Sequence, residues 1–227
     1  MIIRKIKALS LGIVMWSFAT TGYAVESGFY MGVQIGNSKV NNGASTVQIN
    51  SHKIGPIKVY GTEVVTPSNT GMAERIYVGG QYNPFAAVEL GFTHYAPSTF
   101  NVTAPTSTLT GNPQIRTIAI DLVGKGIFPV GNSGFGIFGK AGLAAASQSK
   151  SGSLQVNSLG QPISGQGNKT SANLIYGLGV SYDVTQSWVA DLTWSQIKAA
   201  GGIPTSTFLA LGFSYHIVQK KCGQFLC

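Results

Sequence analysis

Apolar and polar residues alternate along eight short segments of the chain, and turn-forming residues separate these segments. Successive side chains of a β-strand point to opposite faces, so this period of two predicts strands with one apolar and one polar face. The segments are close in length to the roughly 9 to 11 residues that a tilted strand needs to cross a bilayer. The predicted strands are residues 28–38, 72–83, 86–96, 115–128, 135–147, 172–184, 188–195 and 209–217.

The connections between these strands alternate between short and long. The short ones are residues 83–85, 129–134 and 185–187, whereas the others are rich in Ser, Thr, Asn and Gly and cover residues 39–71, 97–114, 148–171 and, more briefly, 199–204. Short turns at one end and long loops at the other are typical of barrels in a bacterial outer membrane, with the turns in the periplasm and the loops outside the cell.

A soluble barrel of lipocalin type also alternates, so the pattern alone leaves open which face is the inside. The apolar face favours a membrane because it is large and almost uncharged on every strand, as lipid requires. Aromatic residues near the strand ends also favour a membrane, where they would form two interfacial girdles. The predicted girdle residues are Phe29, Tyr82, Tyr95, Tyr182, Trp188, Trp194 and Tyr215.

Composition agrees with a membrane barrel. Only 10% of the 227 residues are charged, against roughly 25% in an ordinary soluble domain. Residues 1–24 have the layout of a signal peptide, with basic Arg4, Lys5 and Lys7, an apolar stretch and a small-residue end. Cleavage after Ala24 would leave a barrel of residues 25–217 and a short periplasmic tail of residues 218–227; a membrane anchor is the alternative.

Loss of the leader lowers the formal net charge from +8 to +5. The remaining basic residues are spread over many segments, which argues against a nucleic-acid-binding stripe. The two cysteines, Cys222 and Cys227, both lie in the predicted tail, where they could close a small loop or link two chains in an oxidising periplasm. A zinc site would need further ligands nearby, so no metal or other cofactor is expected.

Three stretches of sequence resemble the transmembrane domain of the OmpA-like and opacity-type eight-stranded outer-membrane barrels. They are Gly80-Gln81-Tyr82-Asn83-Pro84-Phe85 with Val88-Glu89-Leu90-Gly91-Phe92, then Tyr176-Gly177-Leu178-Gly179-Val180-Ser181-Tyr182-Asp183-Val184-Thr185, and finally Leu209-Ala210-Leu211-Gly212-Phe213-Ser214-Tyr215-His216-Ile217. The resemblance implies an all-β, eight-stranded antiparallel up-and-down transmembrane β-barrel with long extracellular loops and short periplasmic turns. The expected location is the outer membrane of a Gram-negative bacterium.

The chain departs from that family in two ways. No peptidoglycan-binding domain follows the predicted barrel, so the tether that such a domain provides is not expected. The last predicted strand is followed by residues 218–227 instead of ending the chain at an aromatic residue. The signal for the barrel-assembly machinery is therefore expected within residues 212–217.

Charged side chains on the polar face are expected inside the barrel. An eight-stranded barrel has room only for side chains, so opposite charges would pair and plug the lumen. The alternative is a narrow ion path gated by pairs that switch partners. The predicted lumen charge network is Arg75, Glu89, Asp121, Lys125, Lys140, Asp183, Asp191 and His216.

No catalytic constellation stands out among the histidines His52, His94 and His216. A triad of His94, Ser98 and a loop carboxylate such as Glu63 can be assembled on paper, but an interfacial histidine is the simpler interpretation. No phosphate-binding loop or nucleophile elbow is present. The chain is therefore expected not to be an enzyme.

The long loops are the remaining candidates for function, because a rigid scaffold that presents polar loops is a common arrangement for recognition. Lys39, Lys53 and Lys58 give the first loop a basic bias that favours anionic surface sugars. Solvated loops that only shield the barrel are an equally good interpretation. We expect a structural and surface-interaction role of adhesion type, with a low-conductance porin and a lipid-modifying enzyme as alternatives. Expected partners are outer-membrane lipid and lipopolysaccharide, the barrel-assembly machinery and host or cell-surface ligands.

Overall fold

Eight strands close into a barrel in the computed structural model, which describes residues 28–42, 45–54, 57–101, 109–110, 114–151, 153–156, 162–164 and 168–217. They are β1 (Phe29–Val40), β2 (Thr70–Asn83), β3 (Ala86–His94), β4 (Gln114–Pro129), β5 (Phe135–Ser151), β6 (Asn168–Asp183), β7 (Trp188–Ile197) and β8 (Ser206–His216). Each strand is antiparallel to the next, and β8 pairs with β1. The wall of the barrel therefore has no open edge. The all-β, eight-stranded antiparallel prediction is confirmed.

The strand register climbs steadily around the wall. Directly paired residues lead from Phe29 around all eight strands and back to β1 at Lys39, ten residues further along. The path is Phe29, Gly80, Val88, Gly124, Ala141, Tyr176, Gln196, Thr207 and Lys39. A stagger of this kind accompanies strands that tilt strongly against the barrel axis.

The alternation of apolar and polar residues separates the two faces of the wall, and the apolar face points outward. In β8, Leu209, Leu211 and Phe213 are 50%, 63% and 55% exposed, whereas the alternate residues Ala210 and Ser214 are buried in the lumen. A soluble barrel would place its apolar residues inside. The outer surface therefore needs lipid around it, and the lipocalin alternative is wrong.

The long-loop end of the barrel extends further than the sequence pattern predicted. β5 continues to Ser151 and β6 begins at Asn168, so the two strands pair within the predicted loop of residues 148–171. Polar contacts replace the apolar alternation there, since Thr170 Oγ1 donates to Ser147 Oγ at 3.1 Å. Further strands at this end are Ser45–Ile54, Ile57–Ser68, Ser98–Asn101, Leu109–Thr110, Ser153–Val156 and Pro162–Ser164.

Two predicted segments lie outside the described residues: the leader, residues 1–24, and the tail, residues 218–227, with Cys222 and Cys227. They stay predictions. Over the part of the chain that the structure describes, no helix has the length and apolar character needed to span a membrane.

The outward apolar face gives a direct test of lipid contact. Leu211 lies in the middle of β8, paired with Ile35 and Leu192, which also point outward. Leu211→Arg should lower the free energy of unfolding by about 2–4 kcal/mol, because an arginine near the bilayer midplane must leave water. The measurement is a urea titration of the barrel refolded into lipid vesicles. Thr170→Arg, at a position beyond the apolar band, should change the free energy of unfolding by only about 0–1 kcal/mol. Equal losses of stability for the two variants would argue against a lipid-facing wall.

Candidate functional site

A buried guanidinium lies at the centre of the lumen. Arg75 points inward from β2 and is 2% exposed. Its Nη2 lies 2.7 Å and its Nε 3.3 Å from the two carboxylate oxygens of Asp121 on β4, and its Nη1 lies 3.4 Å from Glu89 Oε2 on β3. Gly91 gives the guanidinium its space, because a Cβ at that position would lie 2.4 Å from Nη2. The planar fork of an arginine suits this bidentate contact, which a lysine cannot make.

Glu89 accepts hydrogen bonds from three side chains. Besides Arg75, Lys125 Nζ at 3.2 Å and Tyr30 Oη at 3.0 Å both donate to its Oε1. The Lys125 ammonium also lies 4.1 Å from the centroid of the Phe138 ring, within the range of a cation–π contact. The buried carboxylate is thus compensated by two cations and one hydroxyl.

Asp191, on β7, is held by neutral donors. Gln34 Nε2 at 2.7 Å and Thr193 Oγ1 at 2.6 Å donate to its Oδ1, and Tyr77 Oη at 3.3 Å donates to its Oδ2. Gln34 also accepts a hydrogen bond from Arg75 Nη1 at 3.3 Å. One connected set of hydrogen bonds therefore crosses the lumen from β4 to β7. The sequence pattern placed Gln34 and Tyr77 on the inner faces of their strands but did not single them out, because they carry no charge.

Three other residues of the predicted lumen charge network, Lys140, His216 and Asp183, lie at different places in the lumen or at its short-turn mouth. Lys140 is 4% exposed, and its side-chain ammonium has no ion pair or hydrogen bond with a described residue, although it lies directly opposite Lys125 in the β4–β5 ladder. His216 stacks on Tyr30 with ring centroids 4.6 Å apart, and its Nδ1 has no partner within the described part of the chain. Asp183 lies at the short-turn mouth, where its backbone N–H donates to Gly134 O. The functional role of this network stays a prediction.

An apolar layer fills the lumen on the long-loop side of the charged cluster, and the sequence pattern did not predict it. Tyr95 packs against Phe208 with ring centroids 6.3 Å apart, and these residues are 2% and 1% exposed. Tyr95 was predicted in an outer girdle, and that prediction is wrong: the residue follows the parity of the inward residues Glu89 and Thr93 into the lumen, which the girdle prediction overlooked. The layer consists of Val40, Ala73, Tyr95, Ala119, Val123, Ala144, Ala146, Ile175, Ile197, Ile203, Phe208 and Ala210.

The other predicted girdle residues point outward, and most lie at the short-turn end. Phe29 and Tyr82 are 70% and 75% exposed. Trp188 and Tyr215 form one ring contact, with centroids 5.1 Å apart, and a second contact joins Tyr182 to Phe135 at 4.6 Å. Trp194 lies nearer the middle of its strand, against Tyr176. Their contact with the membrane interface stays a prediction.

The charged cluster and the apolar layer separate two cavities. One, of about 360 Å³, opens at the short-turn mouth and is lined by Tyr30, Lys125 and Asp183 among others. The other, of about 490 Å³, opens at the long-loop mouth beside Lys150 and Lys169. No described residue lines both cavities. Buried side chains of the charged cluster and of the apolar layer lie between them.

The hypothetical catalytic triad of His94, Ser98 and Glu63 is not formed by the described side chains. His94 lies on the outer side of the wall, where its Nδ1 is 3.6 Å from Glu74 Oε1. Ser98 is 1% exposed and receives a hydrogen bond from Asn42 Nδ2. The Glu63 side chain lies outside the described part of the structure. Over the described residues, no three His, Cys, Asp or Glu side chains are grouped so as to hold a metal ion.

Charge is distributed unevenly between the two ends of the barrel. Five exposed basic residues lie at the long-loop end: Lys39, Arg116, Lys150, Lys169 and Lys198. Among the described side chains, Glu74 is the one acidic group at that end, whereas Glu89, Asp121, Asp183 and Asp191 lie in the lumen or at the short-turn mouth. We call those five residues the basic rim.

A closed barrel with an apolar outer face and a lumen of buried polar and charged side chains defines the chain as a small outer-membrane β-barrel protein. The family model described as the OmpA-like transmembrane domain matches residues 24–221. The chain belongs to this family, and the resemblance noted in the sequence is confirmed.

Similar proteins include one relative by sequence and several solved structures. An uncharacterized protein of Coxiella burnetii (strain RSA 493 / Nine Mile phase I) is 26% identical over 234 residues, covering 92% of this chain and 91% of that protein. Neisserial surface protein A is 19% identical, with 84% of this chain and 98% of that chain covered and a TM-score of 0.46. The outer membrane protein OprG of Pseudomonas aeruginosa is 12% identical, with 86% of this chain and 99% of that chain covered and a TM-score of 0.49.

The Arg75 cluster should contribute strongly to stability. Arg75→Met leaves Asp121 and Glu89 buried without their shared cation, so it should lower the free energy of unfolding by about 3–5 kcal/mol. Arg116→Met removes the same charge from the exposed rim and should change it by less than about 0.5 kcal/mol. Both values can be read from urea titrations in vesicles. Similar small effects for the two variants would mean that the lumen cluster is hydrated and not a structural plug.

Proposed function

We propose that this outer-membrane barrel is a non-catalytic surface protein whose extracellular end binds anionic polymers of cell surfaces. The observation that carries this proposal is the basic rim, which faces solvent at the long-loop end while most described carboxylates lie inside the barrel or at its other mouth. A surface of one charge sign raises the local concentration of oppositely charged partners and speeds their association. Acidic glycans and lipopolysaccharide both offer the complementary charge.

The rim has two parts that face different partners. The side chains of Lys39, Arg116 and Lys198 follow the outward parity of their strands, so they are placed to meet phosphate groups of the surrounding lipopolysaccharide. Lys150 and Lys169 follow the inward parity and border the cavity at the long-loop mouth. We therefore infer that the first group helps to fix the barrel in its outer leaflet, whereas the second remains available to ligands from outside.

Export and assembly complete the proposal. Residues 1–24 would direct secretion, and the sequence Gly212-Phe213-Ser214-Tyr215-His216-Ile217 of the last strand would be recognised by the barrel-assembly machinery. A non-enzymatic role is supported by the opposite directions of His94 and Ser98, which remove the one triad that the sequence offered.

Binding to a polyanion tests the proposal. Cells that display the protein should bind fluorescent dextran sulfate, and replacing the five residues of the basic rim by Gln should weaken binding by about tenfold or more, since exposed ion contacts contribute roughly 0.2–1 kcal/mol each. Binding should also fall as salt is raised, because the Debye length shrinks below about 10 Å above 0.1 M. Flow cytometry gives the bound fraction.

Two controls make this result specific. Neutral dextran of the same size should not bind, and a variant with Ser149, Thr170 and Thr207 replaced by Gln should bind dextran sulfate as the original protein does. The proposal fails if cells with and without the barrel bind dextran sulfate equally, or if the variant without the basic rim binds as well as the original.

A low-conductance channel is the second candidate, and the cavities at both mouths are the observation that favours it. The charged cluster and the apolar layer lie between these cavities, so the purified barrel should carry no measurable current in a planar bilayer at moderate voltage. Phe208→Ala removes one of the two aromatic rings of the apolar layer and leaves the charged cluster, so this variant should be silent too. Regular current steps from the original protein, with a size that Lys125→Glu changes, would favour the channel instead.

A further inference from the structure

The long-loop mouth contains a cleft with the features of a small-ligand site. Its volume is about 490 Å³, within the range of typical small-molecule sites. It lies between the outer ends of β5 and β6 and the turn that connects β7 to β8. Among the described residues, its lining includes two lysines, two amide side chains and a small apolar wall, and no carboxylate. Lys150, Lys169, Gln148, Asn42, Ile203 and Pro204 are among these lining residues.

The two lysines are close neighbours on one face of the β5–β6 ladder. Lys169 is directly paired with Gln148, and Lys150 lies two residues further along β5 on the same face. Diagonal neighbours of this kind are roughly 7–8 Å apart, close enough for long side chains to reach one group between them. Neither lysine forms an ion pair with a described residue. Two like charges at this distance repel each other, so an anion between them would relieve the repulsion.

The β7–β8 turn brings its backbone against one of these ammonium groups. Gly201 and Gly202 have φ values of 56° and 77°, and Ala200 and Ile203 exchange hydrogen bonds of 3.2 and 2.9 Å across them. These features define a tight hairpin turn of the type that glycine favours. A Cβ at Gly202 would lie 3.1 Å from Lys169 Nζ. The glycine thus allows the lysine to lie against the turn at the edge of the cleft.

Buried amides form the polar floor of the cleft. Gln148 is 4% exposed, and its Nε2 donates to Thr117 Oγ1 at 3.1 Å and to Asn42 Oδ1 at 3.4 Å. Asn42 Nδ2 in turn donates to Ser98 Oγ at 2.8 Å. These bonds tie β1, β4, β5 and the strand at Ser98 together beneath the lysines. The floor is therefore fixed by packing and hydrogen bonding and does not depend on a ligand for its shape.

We propose that this cleft binds a sugar unit that carries a sulfate or phosphate group. Lysine acts as a point charge for such oxyanions, so two lysines set the charge of the ligand but not its type. The amide floor can bond hydroxyl groups, and Ile203 and Pro204 offer an apolar wall to the C–H face of a ring. The inference rests on the proposed extracellular position of this mouth, and it adds a single saturable site to the general attraction of the basic rim.

Titration with small sugars tests the cleft directly. The full barrel is refolded in uncharged detergent micelles and titrated calorimetrically with glucose 6-sulfate, glucose 6-phosphate and glucose. The original protein should bind one equivalent of a charged sugar and no glucose. Lys150→Gln/Lys169→Gln should weaken binding by about tenfold or more, because it removes two charged contacts. The heat-dependent gel mobility of each variant confirms that the barrel is folded.

A matched variant separates the cleft from the basic rim. Lys39→Gln/Lys198→Gln removes the same charge from outward-facing positions and should change the affinity by less than about twofold, since exposed charges there are screened. An equal loss for both double variants, or no saturable binding by the original protein, would overturn the inference.

Other outcomes identify the source of the ligand, or show whether the cleft site alone or the proposed surface function as a whole is wrong. Preference for glucose 6-sulfate would support a host glycan, and preference for glucose 6-phosphate would support the sugar phosphates of lipopolysaccharide. If the original protein shows no saturable binding of charged sugars while cells still bind dextran sulfate, this inference alone is overturned. If neither the charged sugars nor dextran sulfate binds, the proposed surface function is overturned as well.

Discussion

Backbone hydrogen bonding without water is the constraint on which the rest of this structure depends. In the hydrocarbon core each N–H and C=O group must find a partner in the protein, so a sheet can cross the membrane only if it closes. The pairing of β8 with β1, from Tyr30 with His216 to Val40 with Ser206, provides that closure. The closed wall then fixes the direction of every side chain by strand parity. Apolar residues must face lipid, and the polar residues between them have only the lumen to occupy.

The narrow lumen explains why most of its charged side chains contact an opposite charge or a hydrogen-bond donor. Arg75 and Lys125 lie against Glu89 and Asp121 in a space largely occupied by side chains, where an isolated charge would be strongly destabilising. Gln34 joins the arginine on one side of the cluster to Asp191 on the other. Among the described carboxylates, Glu89, Asp121 and Asp191 lie in this cluster, so exposed basic residues dominate the charge of the long-loop end. Internal compensation and surface charge are two consequences of the same arrangement.

The sequence predicted the parts of the fold that depend on period and failed where period carries no information. Eight strands follow from the alternation, and the inward direction of Arg75 and Asp121 follows once the almost uncharged apolar face is assigned to lipid. Tyr95 was misplaced because its aromatic ring near a strand end was given more weight than its parity, which is that of the inward residues Glu89 and Thr93. The apolar layer was missed because inward residues such as Phe208 and Ile175 are apolar on a face expected to be polar. β5 and β6 were predicted too short because polar side chains above the lipid show no apolar alternation.

The apolar layer also links the closed lumen to the proposed binding site. Ile203 belongs to the buried layer around Phe208 and at the same time lines the cleft at the extracellular mouth. Gln148 lies directly beneath Lys150 and Lys169 and is fixed by bonds to the same strands that hold the layer. A wide open pore would have no floor at this position, and the two lysines would face a column of water. The packing of side chains inside the barrel therefore creates the enclosed surface that recognition of a small anionic group requires.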